Sequence, residues 1–94
     1  METNDVIASA LAQVDALKGI VEDKYLSDPY EYRETMLDWL AMYGWETFEN
    51  TSTYKEEEFE FIINFDCRNS MFSMNILDTN LHKMKNVKYH MQLI

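Results

Sequence analysis

Carboxylates are the side chains whose type and spacing stand out in this sequence, and fixed negative charge is the chemistry they supply. Glu31, Glu34 and Asp38 recur at intervals of three and four residues, so a helix would gather them into one ridge. Glu56, Glu57, Glu58 and Glu60 form the densest cluster. In an extended chain Glu56, Glu58 and Glu60 share one face at about 6.7 Å intervals, because each strand residue rises about 3.3 Å. Glu46 and Glu49 precede them on a stretch that should pair nearby, with rows about 4.8 Å apart. Such a lattice has a charge density of the same order as duplex DNA, which carries one phosphate per about 3.4 Å on each strand. A rigid array of this kind fits a basic groove built for DNA. The plainer reading is that the acids solvate the outer face of a sheet.

Other reactive groupings are thin. Gly19 and Gly44 are isolated and write no phosphate-binding loop. His82 and His90 stand apart, without zinc-type Cys/His spacing. Asp78 and His82 lie four residues apart and could form an acid–base or metal pair, but an ordinary surface histidine in a solvated loop explains them as well. Cys67 is the sole cysteine. It cannot form an internal disulfide, and nothing adjacent in sequence would lower its thiol pKa convincingly. No local signature supports a Ser/His/Asp or Cys/His set. The chain is therefore expected to be non-enzymatic, with no catalytic residue, no metal and no cofactor.

Composition bounds the partner. The 94 residues suffice for one core, and 47% of them are hydrophobic, with only two Gly and one Pro, which argues against disorder. The formal charge is −9, unevenly spread. Residues 1–66 hold 16 acids and 4 bases, a net of −12, whereas residues 67–94 hold Asp78 against Arg68, Lys83, Lys85 and Lys88, a net of +3. Direct binding to nucleic acid or to an anionic membrane is disfavoured, and a basic protein surface is the attractive partner. Apolar runs are as short as Phe61-Ile62-Ile63, so none can span a bilayer. The start, Met1 to Asp5, is acidic where a signal peptide would be basic. A cytoplasmic location is expected.

The elements that must position the carboxylates follow from periodicity. Val6, Ile7, Ala10, Leu11, Val14, Leu17, Val21 and Tyr25 make one helical stripe, capped at Thr3 or Asn4 and ending near Leu26, with Gly19 allowing a bend. Asp28-Pro29-Tyr30-Glu31 opens a second helix, and Gly44 closes it. About three residues connect the two, so an antiparallel helical hairpin is expected. The period then changes to two. Strands are expected over Trp45–Thr53, from Glu58 to Asp66, from Phe72 to Leu77, and from Val87 to Leu93, with Asp78 to Asn86 as a longer connection. The fold class is α+β, a single domain over 1–94. An N-terminal antiparallel helical hairpin precedes a four-stranded antiparallel sheet (ααββββ), helices on one face. Tyr30, Tyr32, Trp39, Tyr43, Trp45, Phe48 and Tyr54 crowd the second helix and first strand, mostly as core, with one or two available as interface anchors. The last strand ends the chain as a sheet edge that could build a homodimer by strand addition.

Over its whole length the chain resembles, in compositional style, small acidic bacteriophage host-takeover proteins of the DNA-mimic inhibitor type. The resemblance is carried by Glu31, Glu34, Asp38, Glu46, Glu49, Glu56, Glu57, Glu58 and Glu60. It implies a bacterial host cell and a non-enzymatic inhibitor that occupies the DNA-binding surface of a basic host protein, with an HU-type nucleoid protein as the first target to test. The alternative is an immunity-type protein or antitoxin that neutralises a toxin enzyme. A structural subunit that oligomerises through its sheet edge is a third class.

Overall fold

The computed structural model describes residues 4–94. Two helices, α1 (Asp5–Glu22) and α2 (Pro29–Met42), precede five strands: β1 (Glu46–Phe48), β2 (Thr51–Glu56), β3 (Phe59–Asp66), β4 (Met71–Asp78) and β5 (Lys83–His90). A 3-10 turn, Cys67–Asn69, joins β3 to β4. Asn4 caps α1 by accepting the Val6 N–H at 2.8 Å, which satisfies one of the donors a helix start leaves free. Thr3, the other expected cap, lies outside the described residues. Gly19 does not interrupt α1. The helix ends at Glu22 rather than near Leu26, because Tyr25 takes a left-handed backbone (φ 54°) and turns the chain. The connection to α2 is accordingly longer than three residues. Asp28 caps α2 through the Tyr30 N–H at 2.9 Å, Pro29 fills the first turn, and Gly44 at φ 90° lets the chain leave the helix.

The sheet is an antiparallel meander in the order β1-β2-β3-β4-β5, with five strands where four were expected. The stretch Trp45–Thr53 is not one strand. It folds into a hairpin at Glu49 and Asn50, with Glu46 opposite Thr53 and Phe48 opposite Thr51. Three features hold that turn: Glu49 at φ 56°, the Asn50 side chain donating to the distant Phe65 carbonyl at 3.0 Å, and the Thr51 hydroxyl donating to the Phe48 carbonyl at 2.7 Å. The expected connection from Asp78 to Asn86 also contracts, to a turn at 79–82. Lys83 to Asn86 belong to β5, paired with β4 from Asp78↔Lys83 onward. Their side chains are exposed, so no apolar alternation announced them; backbone pairing makes the strand. The last strand ends at His90 rather than Leu93, and the Ile94 N–H instead reaches the Leu26 carbonyl at 3.0 Å.

Phe59, Phe61, Ile63 and Phe65 of β3 are buried, while the alternate Glu60, Ile62, Asn64 and Asp66 are partly or fully exposed. The helices therefore cover one face and leave the other open, as period two requires. Val14, Leu17, Val21, Tyr32, Met36 and Leu40 meet that covered face in one continuous core. Two aromatic groups reinforce it. Trp45 stacks on Tyr54 at 5.4 Å and Phe72 stacks on Tyr89 at 4.7 Å, geometries that add about 0.5–1.5 kcal/mol beyond area burial.

Candidate functional site

The nine candidate carboxylates divide among three places. On α2, Glu31, Glu34 and Asp38 are all exposed. At 100° per residue they point away from buried Tyr32, Met36 and Leu40, so the expected ridge exists and faces solvent. Arg33 sits beside it, but its guanidinium lies over the Tyr30 ring at 5.5 Å and approaches Glu34 only to 3.8 Å. Among the described residues that is the sole ion pair made by any of the nine.

The second place is the tip of the β2–β3 hairpin. Here the structure corrects the expected lattice: Glu56, Glu58 and Glu60 do not line one face. Glu56 ends β2, Glu57 and Glu58 form the two-residue loop, and Phe59 resumes pairing opposite Glu56. Glu57 takes φ 56° to make that loop. The registers place Glu56 on the helix side, opposite Phe59, whereas Glu60 sits opposite Lys55 on the open side. Glu56 accepts a hydrogen bond from the Tyr54 hydroxyl at 2.6 Å. That bond, with some burial, raises the Tyr54 pKa. The tip itself is anchored, because the Glu58 carbonyl accepts from both the N–H and the hydroxyl of Thr79, at 3.0 and 2.8 Å. Three consecutive carboxylates therefore stand at a fixed hairpin tip, one at the end of β2 and two in the loop.

The third place is β1 and its turn. Glu46 shares the open face with Glu60, while Glu49 lies in the β1–β2 turn, at the opposite end of the sheet from Glu57. The open face also carries Lys55 and Lys88 and a run of neutral polar groups, Thr51, Thr53, Asn64, Ser73 and Asn75. It is no carboxylate lattice. The α2 ridge and the open face look out from opposite sides of the two layers, so no single surface holds all nine acids.

Of the seven aromatic residues flagged from sequence, Tyr32 and Trp45 are core, and Trp39 and Tyr54 pack against it. Tyr30, Tyr43 and Phe48 remain exposed, the last at 74%, flanked by Glu46 and Glu49. The other candidates have structural explanations. The Asp78 carboxylate accepts from the N–H groups of Asn80 and Leu81, each at 3.0 Å, and so fixes the β4–β5 turn in which His82 stands at φ 52°. Cys67 is buried, its thiol directed at the Pro29 carbonyl at 3.5 Å. Burial pushes that thiol up from its ordinary pKa, partly offset by Arg33, which leaves little nucleophilic thiolate. Among the described residues no group of three or more His, Cys, Asp and Glu could hold a metal ion, and no helix is long and apolar enough to cross a membrane.

Glu22 escaped sequence reasoning altogether. One of its carboxylate oxygens accepts from Lys18 Nζ (2.7 Å), the Tyr32 hydroxyl (2.8 Å) and the Gln92 N–H (3.0 Å). Burial alone would raise its pKa, but the bonds from Lys18, Gln92 and Tyr32 outweigh that and leave it lowered. Glu22 thus ties α1 to α2 and to the C-terminal segment, a structural role that no local spacing signals. No protein-family model matches this chain, and no curated protein or solved structure shows detectable similarity to it.

Proposed function

We propose that this protein is a non-enzymatic acidic binding module that occupies the basic, DNA-binding surface of another protein and competes there with DNA. The observation that carries the reading is that its carboxylates are held ready and unneutralised. Nine stand at or near the surface on ordered elements, with a single long contact to a base among the described residues. A chain that used these acids internally would pair them. Unpaired fixed anions instead raise the local cation affinity of the surface and speed encounter with a positive partner. Two acidic surfaces serve that role separately: the α2 ridge of Glu31, Glu34 and Asp38, and the hairpin tip of Glu56, Glu57 and Glu58. Tyr30, Tyr43 and Phe48 supply exposed aromatic anchors near the acids of α2 and β1.

An HU-type nucleoid protein is the first target to test, because it is basic and exposes the surface with which it grips DNA. Labelled duplex is bound to the purified nucleoid protein, and this chain is added as competitor at about 0.1 M and about 0.5 M salt, a range over which screening changes strongly. Displacement at the lower salt, lost at the higher, is the expected result. Reversal of one acidic set, in E31K/E34K/D38K or in E56K/E57K/E58K, should weaken competition about tenfold or more and identify the docking surface. If both folded triple variants compete as well as the parent, the acids are a solvated face and the reading fails.

The compact tip favours one second reading. Three consecutive carboxylates, Glu56 at the end of β2 and Glu57 and Glu58 in the anchored loop, make a small footprint, better matched to a cleft than to a long groove. An immunity-type protein or antitoxin would use such a tip to plug the basic active site of a toxin enzyme. Inhibition of a nuclease but not of a nucleoid protein, lost in the tip variant alone, would favour it.

A further inference from the structure

We propose that the free edge of β5 receives one added strand from another protein, an extended segment carrying an apolar residue with carboxylates two positions to either side. This surface is distinct from the acidic ones and does not depend on their function.

β5 is the last strand in the sheet order and runs for eight residues, whereas the opposite edge, β1, has only three. Along an edge strand alternate N–H and C=O groups point outward and can pair with an incoming chain. The helix layer does not cover the first half of this edge. Lys83, Met84, Lys85 and Asn86 are all exposed, while Tyr89 further along is buried. The strand is therefore accessible where it begins.

A groove opens on that exposed half. Its volume is about 280 Å³, and its apolar floor is built from Ile7 of α1, Phe59 of β3 and Ile76 of β4. Leu81 and Met84 at its rim are 64% and 65% exposed. Lys83 and Lys85 flank it from the edge itself, opposite Asp78 and Ile76 in the register. Among the described residues none of Lys83, Lys85 and Lys88 has a carboxylate within 4.0 Å. Asp78, the acid nearest in register, is occupied with the N–H groups of its own turn.

Charge complementarity decides the occupant. In a chain of net −9 the unpaired Lys83, Lys85 and Lys88 collect along this strip among the described residues, and at physiological salt, screening over about 8 Å leaves the more distant acids little influence on it. Residues of an added strand lie directly opposite those of β5, with diagonal neighbours about 7–8 Å away and within reach of long side chains. An apolar residue opposite Lys85 stands on the face that Lys85 shares with Ile76 and packs along the Lys85 stem at the outer side of the groove. Carboxylates two residues to either side fall opposite Lys83 and Val87, the first beside the Lys83 ammonium and the second diagonal to that of Lys85. A second copy of this chain is the poorer match. Two β5 strands paired together would gather the lysines of both along one seam, and like charges directly opposite are destabilising.

The probe is a blocked peptide, Thr-Glu-Thr-Leu-Thr-Glu-Thr, titrated into the 15N-labelled full chain up to about 1 mM, where even weak complexes register. Amide shifts and slowed hydrogen exchange confined to residues 81–90 are expected. The charge-reversed peptide, with Lys for each Glu, should produce at most a tenth of the affinity, and K83E/K85E should invert that preference. Absence of perturbation on β5, or equal response to both peptides, overturns the proposal. Concentration-dependent protection of β5 without any peptide also overturns it, since the edge would then belong to a second copy.

Discussion

At the scale of single residues, Glu22 shows how one side chain can close a fold. Its carboxylate accepts three hydrogen bonds, two of them from groups far away in sequence, Tyr32 and the Gln92 backbone. Hydrogen bonds to a charged acceptor contribute about 1.5–3 kcal/mol each, part of which desolvation cancels. Glu22→Gln is expected to lower stability by about 1–2 kcal/mol near neutral pH. The pH dependence has a definite sign. The folded-state pKa lies below the ordinary 4.5, so the stabilisation is complete above 4.5 and disappears as pH falls through the lowered folded value. Urea unfolding of parent and variant at a series of pH values should therefore show two curves that converge in acid. A gap that stayed constant down to the lowest pH would mean that packing, not charge, supplies the effect. Tyr32, the donor from α2, is held protonated by burial and by the Glu22 carboxylate, its own pKa raised well above 10.0.

At the scale of elements, the two glycines have opposite duties. Gly19 lies on the exposed side of α1, and a methyl group there would meet nothing within 4 Å. Gly44 sits at φ 90°, a conformation side-chain-bearing residues avoid, and it lets α2 end in time for Trp45 to enter the core. Gly19→Ala should raise stability by about 0.7–1 kcal/mol, whereas Gly44→Ala should lower it by about 1–2 kcal/mol. Thermal or urea unfolding of the two variants checks the signs. Backbone conformation also decides the β1–β2 hairpin, where Glu49 takes φ 56°. The stretch around Glu49 and Asn50 looks continuous because Glu46, Phe48 and Thr51 are compatible with one strand, and neither loop residue is a glycine. What breaks the strand is the pairing of Asn50 with the Phe65 carbonyl, a partner fifteen residues away.

For the whole molecule, charge sets the behaviour. Net −9 with two ion pairs among the described residues means that repulsion is relieved mainly by solvent and salt. Raising sodium chloride from about 0.05 M to about 0.5 M shortens the screening length several-fold. The melting temperature is expected to rise on the order of 5 °C, about 1 kcal/mol for a domain of this size. A melting temperature that fell with salt would show that attractions outweigh repulsions in the folded state. The charge is also divided in space. Acids occupy the α2 ridge and the β2–β3 tip, and cations line the β5 edge, so one small chain presents surfaces of both signs to its surroundings.

Sequence alone determined the features whose causes are local. Asp28-Pro29 and Gly44 bounded α2, since caps act within one turn of the helix. The alternation of Phe59, Phe61, Ile63 and Phe65 marked the covered face of β3, because period two is a property of the strand itself. The contrast between −12 and +3 was countable before any fold was known. Tertiary structure decided whatever depended on register. Whether Glu58 stands on a strand or in a loop follows from Glu56 pairing with Phe59, which leaves Glu57 and Glu58 in the loop and puts Glu56 and Glu60 on opposite faces, scattering the expected lattice. The edge status of β5, the groove beside Lys83 and Lys85, and the bond from Gln92 to Glu22 across seventy residues arise only when distant segments meet. Local spacing places a residue on a face; only the assembled sheet decides which face remains uncovered.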